Sequence, residues 1–214
     1  MHLRRKSPHH RLLLALLSAL LFPACWPLSC FSGCIVHSTP PPPPQPGSAT
    51  YQLSCDTAIG AVKTWVTYTV VATAEPVGPG ATVEYDITAP VAQVDTGVTT
   101  TFEKSIEFFD IPAGLKVQSV QAAQSSTADF SSAVATTDGG TIAYTLTGSF
   151  TFDKTERPVP PIQVKATVNA APGATIVWMP PVEVIGQANA GFFGDQTTTC
   201  AFPDAGPIWT SHVQ

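Results

Sequence analysis

From residue 50 onward the chain alternates apolar and polar residues with a period of two, and that rhythm restricts it to β-strands. In 62–70 (VKTWVTYTV), Val62, Val66, Tyr68 and Val70 take one face; Lys63, Trp65, Thr67 and Thr69 take the other. In 82–89, Val83, Tyr85 and Ile87 oppose Glu84, Asp86 and Thr88. In 162–169, Ile162, Val164, Ala166 and Val168 oppose Gln163, Lys165, Thr167 and Asn169. Similar runs occupy 100–110, 115–122, 130–137, 141–152, 175–179, 182–187 and 197–200. Breakers separate them: EPVGPG at 75–80, Asp138-Gly139-Gly140, 158–161, Pro172-Gly173 and Pro180-Pro181. With no amphipathic helix, about nine to eleven short strands predict an all-β, immunoglobulin-like two-sheet sandwich, with a β-barrel as the alternative.

The first fifty residues have a different texture. A basic stretch, MHLRRKSPHHR, precedes the apolar run LLLALLSALLF at 12–22, the order of an export signal. No charge occurs from Leu12 to Val36, although Pro23 and Pro27 interrupt the span. Three fates are compatible with it. Cleavage near Ser38 would release the protein; lipoprotein processing would acylate Cys34, after Phe31-Ser32-Gly33, or Cys25; an uncleaved segment would anchor it. Each delivers the following domain outside the cytoplasm, so membrane association is expected only through the N-terminus. Pro40 to Pro44 and Pro46 then form a proline-rich linker, read as an extended spacer. The expected organisation is an export signal or anchor at 1–38, the linker at 39–49 and an extracytoplasmic β-domain at 50–214.

Charge argues against two kinds of partner. All 15 acidic residues lie at Asp56 or beyond, against six Lys and Arg from Tyr51 onward, a net of −9 for the folded portion. Such a domain is repelled by nucleic acid and by anionic membrane surfaces. Cys55 falls in the first strand and Cys200 in the last of these runs, and in an exported chain they are expected to form a structural disulfide.

Catalytic residues are hard to find. The five histidines are His2, His9, His10, His37 and His212, so the body of the domain holds none, and G-x-S-x-G is missing. A histidine-based zinc site lacks ligands for the same reason, and no cofactor is expected. Glu84 with Asp86 and Glu103 with Glu107 share strand faces, read as the solvent-facing side of an acidic sheet rather than a carboxylate pair for hydrolysis. Thr136 to Gly140 carries a single carboxylate and reads as a hairpin turn, not a calcium loop. Phe102, Phe150, Phe152 and Trp178 supply core bulk. The doublets Phe108-Phe109 and Phe192-Phe193 cannot both point inward from a regular strand, which makes these four the candidate contact patch, against a small second core as the plainer reading.

The stretch 50–203 resembles a group of exported envelope proteins of actinobacteria. The resemblance lies in the opening Tyr51-Gln-Leu-Ser-Cys55, the segment 171–178 (APGATIVW) and the closing 191–203 (GFFGDQTTTCAFP). It implies a β-sandwich and an envelope location, and it transfers no catalytic residue. The expectation is a non-enzymatic cell-envelope module that binds or displays a partner, with contacts from loop tips and an exposed sheet face. The alternative is a carrier of, or enzyme acting on, apolar envelope molecules held between the sheets.

Overall fold

The computed structural model describes residues 47–57, 60–75, 77–89, 100–124, 128–152 and 157–214. The N-terminal segment read as an export signal or anchor, Cys25, Cys34 and the proline run lie outside the described residues. Twelve strands follow one another: β1 (Ser48–Thr57), β2 (Gly60–Ala72), β3 (Thr82–Thr88), β4 (Thr101–Asp110), β5 (Leu115–Ala122) and β6 (Phe130–Thr137), then β7 (Thr141–Thr151), β8 (Ile162–Val168), β9 (Thr175–Trp178), β10 (Glu183–Asn189), β11 (Asp195–Ala201) and β12 (Trp209–His212). A 3-10 turn, Gly191–Phe193, joins β10 to β11.

Ten strands make one antiparallel sheet in the order β5-β8-β3-β2-β1-β11-β10-β4-β7-β6, and β12 pairs with β9 in a separate two-stranded sheet. The outermost strands of the large sheet, β5 and β6, are consecutive in the chain and lie side by side, so the sheet is nearly closed into a barrel. All-β is therefore what forms, and of the two architectures the barrel fits. The physical reason is the seam between β1 and β11. Ser54, Cys55 and Asp56 pair with Ala201, Cys200 and Thr199, which stitches both halves of the chain into one sheet instead of leaving two facing ones. Cys55 and Cys200 stand directly opposite each other with Cα atoms 4.0 Å apart, and they are disulfide-bonded.

The period-two faces set the interior. Val66, Tyr68 and Val70 of β2, Val83, Tyr85 and Ile87 of β3, and Ile162, Val164, Ala166 and Val168 of β8 are all buried. Each Val, Ile or Phe so buried contributes on the order of 1.5–3 kcal/mol of transfer free energy. The small sheet packs on this inner surface. Trp178 of β9 and Trp209 of β12 meet Tyr85 edge-on, with ring centroids 5.4 and 5.5 Å away. The hydroxyl of Tyr85 and the indole N–H of Trp178 are buried without a hydrogen-bond partner among the described residues. Between β6 and β7, Asp138 Oδ1 accepts from the backbone N–H groups of Gly140 (3.1 Å) and Thr141 (3.0 Å), the hairpin turn expected there. These bonds, Thr141's first, hold the Asp138 carboxyl below its ordinary range.

Candidate functional site

Strand β4 carries an inverted pattern. Phe102, Ser105, Glu107 and Phe109 are buried, whereas Ile106 and Phe108 lie on the outer side, part-exposed. Regular alternation would put Phe102, Lys104, Ile106 and Phe108 on one face. The inversion comes from a bulge at Glu103. In the ladder with β10, Phe102 pairs with Ala188 and Lys104 with Gln187, so Glu103 has no opposite number. The β7 ladder shifts at the same place. One extra residue flips every side chain that follows to the other face.

That flip corrects the reading of Glu103 and Glu107 as a solvent-facing pair. Glu107 is only 2% exposed and lies inside the barrel, flanked in register by Val184 and Tyr144. Tyr68 of β2 donates its phenolic O–H to Glu107 Oε2 at 3.3 Å, a long bond. Tyr144, beside it, donates instead to the Pro160 carbonyl. Burial pushes the Glu107 carboxyl up to about 8, against the opposing pull of the Tyr68 hydrogen bond. The same burial, with the nearby Glu107 adding, raises the Tyr68 phenol well above its ordinary value. Aromatic rings complete this region. Tyr68 meets Phe109 at 6.0 Å and Phe202 at 5.7 Å, and Phe202 meets Tyr51 at 5.9 Å. Tyr51 donates to the Gly206 carbonyl at 2.8 Å. The pairs Glu84 and Asp86 remain at or near the surface, Glu84 bonded to Lys165 across β3 and β8 at 3.0 Å.

The four phenylalanines of the expected contact patch are not brought together. Phe109 is fully buried in the core. Phe108 sits on the outer face opposite Glu183 of β10 and Ala143 of β7. Around it the outer surface carries several apolar side chains among polar ones. Ile106 stands in register with Ile185, and Thr145 beside it leads to Val134, which is 50% exposed. Phe192 and Phe193 lie beyond the opposite end of β10, on the turn to β11. There Phe192 is 98% and Phe193 52% exposed, and their rings touch edge to face at 5.7 Å.

The turn that carries them is tightly bonded. Ala190 N–H donates to Gly194 O at 2.9 Å and Gly194 N–H to Gly191 O at 3.0 Å. The Asn189 side chain accepts from Gly191 N–H at 3.0 Å and donates to Asp195 at 2.6 Å; Gln196 donates to the Phe193 carbonyl at 2.7 Å. Gly191 and Gly194 take positive φ (60° and 66°), which lets five residues reverse the hairpin with both rings outside. The doublets drew attention to both Phe108-Phe109 and Phe192-Phe193 in the sequence, but not to the turn that carries the second pair; the inward turn of Glu107 and the outward turn of Ile106 had no such signal, because both depend on the bulge.

The aromatic residues at this end of the barrel belong to the same continuous core. Phe102 stacks on Phe150 at 4.8 Å, Phe130 and Phe152 lie edge-on to that pair, and the Arg157 guanidinium covers Phe150 at 4.4 Å. Among the described residues no three His, Cys, Asp or Glu side chains gather as a metal site, and no helix is long and apolar enough to cross a membrane.

No family model matches the chain, and no curated protein matches it. Among solved structures, the crystal structure of a "Putative membrane anchored protein" from Corynebacterium diphtheriae is similar over 78% of this chain, at TM-score 0.44 and 14% identity. The match covers 37% of that chain, so the present sequence spans well under half its length. A likeness at that level carries no inference about activity or partners.

Proposed function

We propose that this chain is a non-enzymatic, extracytoplasmic module of the cell envelope that binds or displays a partner at the surface. The observation that carries the reading is the Phe192–Phe193 turn, where two aromatic rings are held in solvent while most of the other described aromatic rings, Trp65 and Phe108 excepted, pack within the barrel. Two adjacent aromatic rings held in solvent on a well-bonded turn form an exposed apolar patch of the kind that contact surfaces use. The location rests on other features. The Cys55–Cys200 disulfide belongs to an oxidising compartment, and the basic-then-apolar N-terminus has the order of an export signal. Intact mass measurement of the protein from its native host, with protease added to intact cells, tests the reading. The expected result is a protease-accessible chain with a two-dalton disulfide deficit, shortened or acylated near Cys25, Cys34 or Ser38, or retained whole as an anchor. A protease-protected, full-length chain with Cys55 and Cys200 reduced overturns it.

A second reading is favoured by one observation, the carboxyl of Glu107 inside an apolar barrel beside Tyr68. In that case the chain carries, or acts on, an apolar envelope molecule held within the barrel, with Glu107 and Tyr68 as its polar contacts. Organic extraction of the native protein followed by mass spectrometry distinguishes the two. A stoichiometric apolar ligand that Glu107→Gln fails to retain would favour the carrier.

A further inference from the structure

The Phe192–Phe193 turn has a position and a charge setting that narrow the kind of partner it fits. Along the β1–β11 pair, Ser48 lies at one end and the turn at the other. Asp56 pairs with Thr199, and β11 begins four residues earlier, at Asp195. At about 3.3 Å per residue, the turn lies roughly 40 Å along the strands from Ser48. Hence the two rings are displayed at the end of the barrel remote from where the chain enters β1.

The charges around the turn disfavour a lipid surface. Residues 189–196 contain no Lys or Arg and one carboxylate, Asp195. By register, Asp56 and Glu103 are the next carboxylates, and Lys63 and Lys104 the next cations. The whole folded portion carries a net charge of −9. Peripheral lipid binding by aromatic turns is normally supported by basic residues that meet anionic headgroups, and none is present on this turn. Partner electrostatics should complement the acidic excess. The turn is also preformed for docking, since one already held by its own hydrogen bonds loses little conformational entropy when it binds.

We infer that the Phe192–Phe193 turn is a preformed aromatic knob that seats in an apolar pocket of a partner protein whose rim is basic. This rests on the envelope-module reading above and names the surface and the partner chemistry for it.

Site-specific photo-crosslinking of the full-length chain in its native host tests the inference, with p-benzoylphenylalanine replacing Phe192, Val71 or Val134 in turn. Val71 and Val134 are exposed apolar controls on other strands. The expected result is one protein adduct specific to position 192. In washed envelopes its yield should fall about tenfold when the purified full-length protein is added as competitor, but not when the Phe192→Ser/Phe193→Ser form is added. That double variant should keep its disulfide and melting temperature, because neither ring is buried. Raising salt from about 0.05 to about 0.5 M should reduce the yield several-fold, as electrostatic complementarity requires. A lipid adduct, or a protein adduct insensitive to salt, overturns the partner assignment. A protein adduct at Val71 or Val134 with none at 192 overturns the knob and leaves the envelope module standing. No protein adduct at any position overturns both.

Discussion

Glu107 is the residue whose environment departs furthest from its chemistry. Among the described residues the groups that act on it are the Tyr68 hydroxyl and its own burial, and the side chains beside it in register are Val184 and Tyr144. A carboxyl held at about 8 in the folded chain and near 4.5 when unfolded binds its proton more tightly in the native state. Between those values stability must therefore fall as pH rises, by about 1.4 kcal/mol per unit at most. Below about 4.5 both states are protonated and this group contributes no slope. Glu107→Gln should flatten the dependence and be the more stable protein at pH 7, by on the order of 2–3 kcal/mol. Urea titrations of both proteins from pH 5 to pH 8 check this; parallel curves would show that Glu107 is ionised at neutral pH. Most of the surface carboxylates have no comparable role. The Glu84–Lys165 pair is about half exposed on both sides, and such pairs contribute at most about 1 kcal/mol.

At the scale of elements, irregular residues decide what the regular ones present. Bulges interrupt β4 after Phe102, β6 after Phe130 and β5 after Val117. The first re-aims Glu107 inward and Ile106 and Phe108 outward. The other two fall on the strands that border the unpaired seam, where an interrupted ladder discourages edge-to-edge association. The β6–β7 irregularity depends on a close approach at Gly148. A Cβ there would stand 2.2 Å from the Asp129 carbonyl oxygen, so Gly148 cannot accept any side chain without moving backbone. Gly148→Ala should destabilise the domain by about 1–3 kcal/mol, read from the midpoint of chemical unfolding. An unchanged midpoint would mean that the two strands separate there at no cost. Much of this layer was legible in sequence. The alternation marked nearly every strand of the large sheet within a few residues and assigned the buried faces of β2, β3 and β8 correctly. It missed β12, a four-residue strand whose identity depends on Trp209 meeting Trp178 across the small sheet.

For the whole molecule, the Cys55–Cys200 bond joins β1 and β11, neighbouring strands of one continuous sheet, across a separation of 145 residues. Closing a loop of that length in the unfolded chain is worth about 4–5 kcal/mol on the chain-entropy model. The ladder between β1 and β11 is short, three residue pairs, so the covalent link supplements few hydrogen bonds at the place where the barrel's two halves meet. The Cys55→Ser/Cys200→Ser protein should lose stability of that order and unfold at a distinctly lower urea concentration. Its β-structure should still be detectable by circular dichroism at low temperature, because the core strands remain paired. A double variant as stable as the parent would show that the β1–β11 seam holds without the bond.

The sequence by itself determined that this chain is built of strands, which faces of most of them are buried, where the turns fall, and that Cys55 and Cys200 stand at the two ends of the β-rich region. Those properties follow from local rules: a period of two, breakers that cannot continue a strand, and the chemistry of paired thiols. Only the tertiary structure decided that the strands form one nearly closed barrel instead of two facing sheets, because alternation specifies a buried face but not which strand lies beside which. It also decided that Glu107 is inside and Ile106 and Phe108 outside. A bulge is defined by two strands in register, and no window of one strand contains that information.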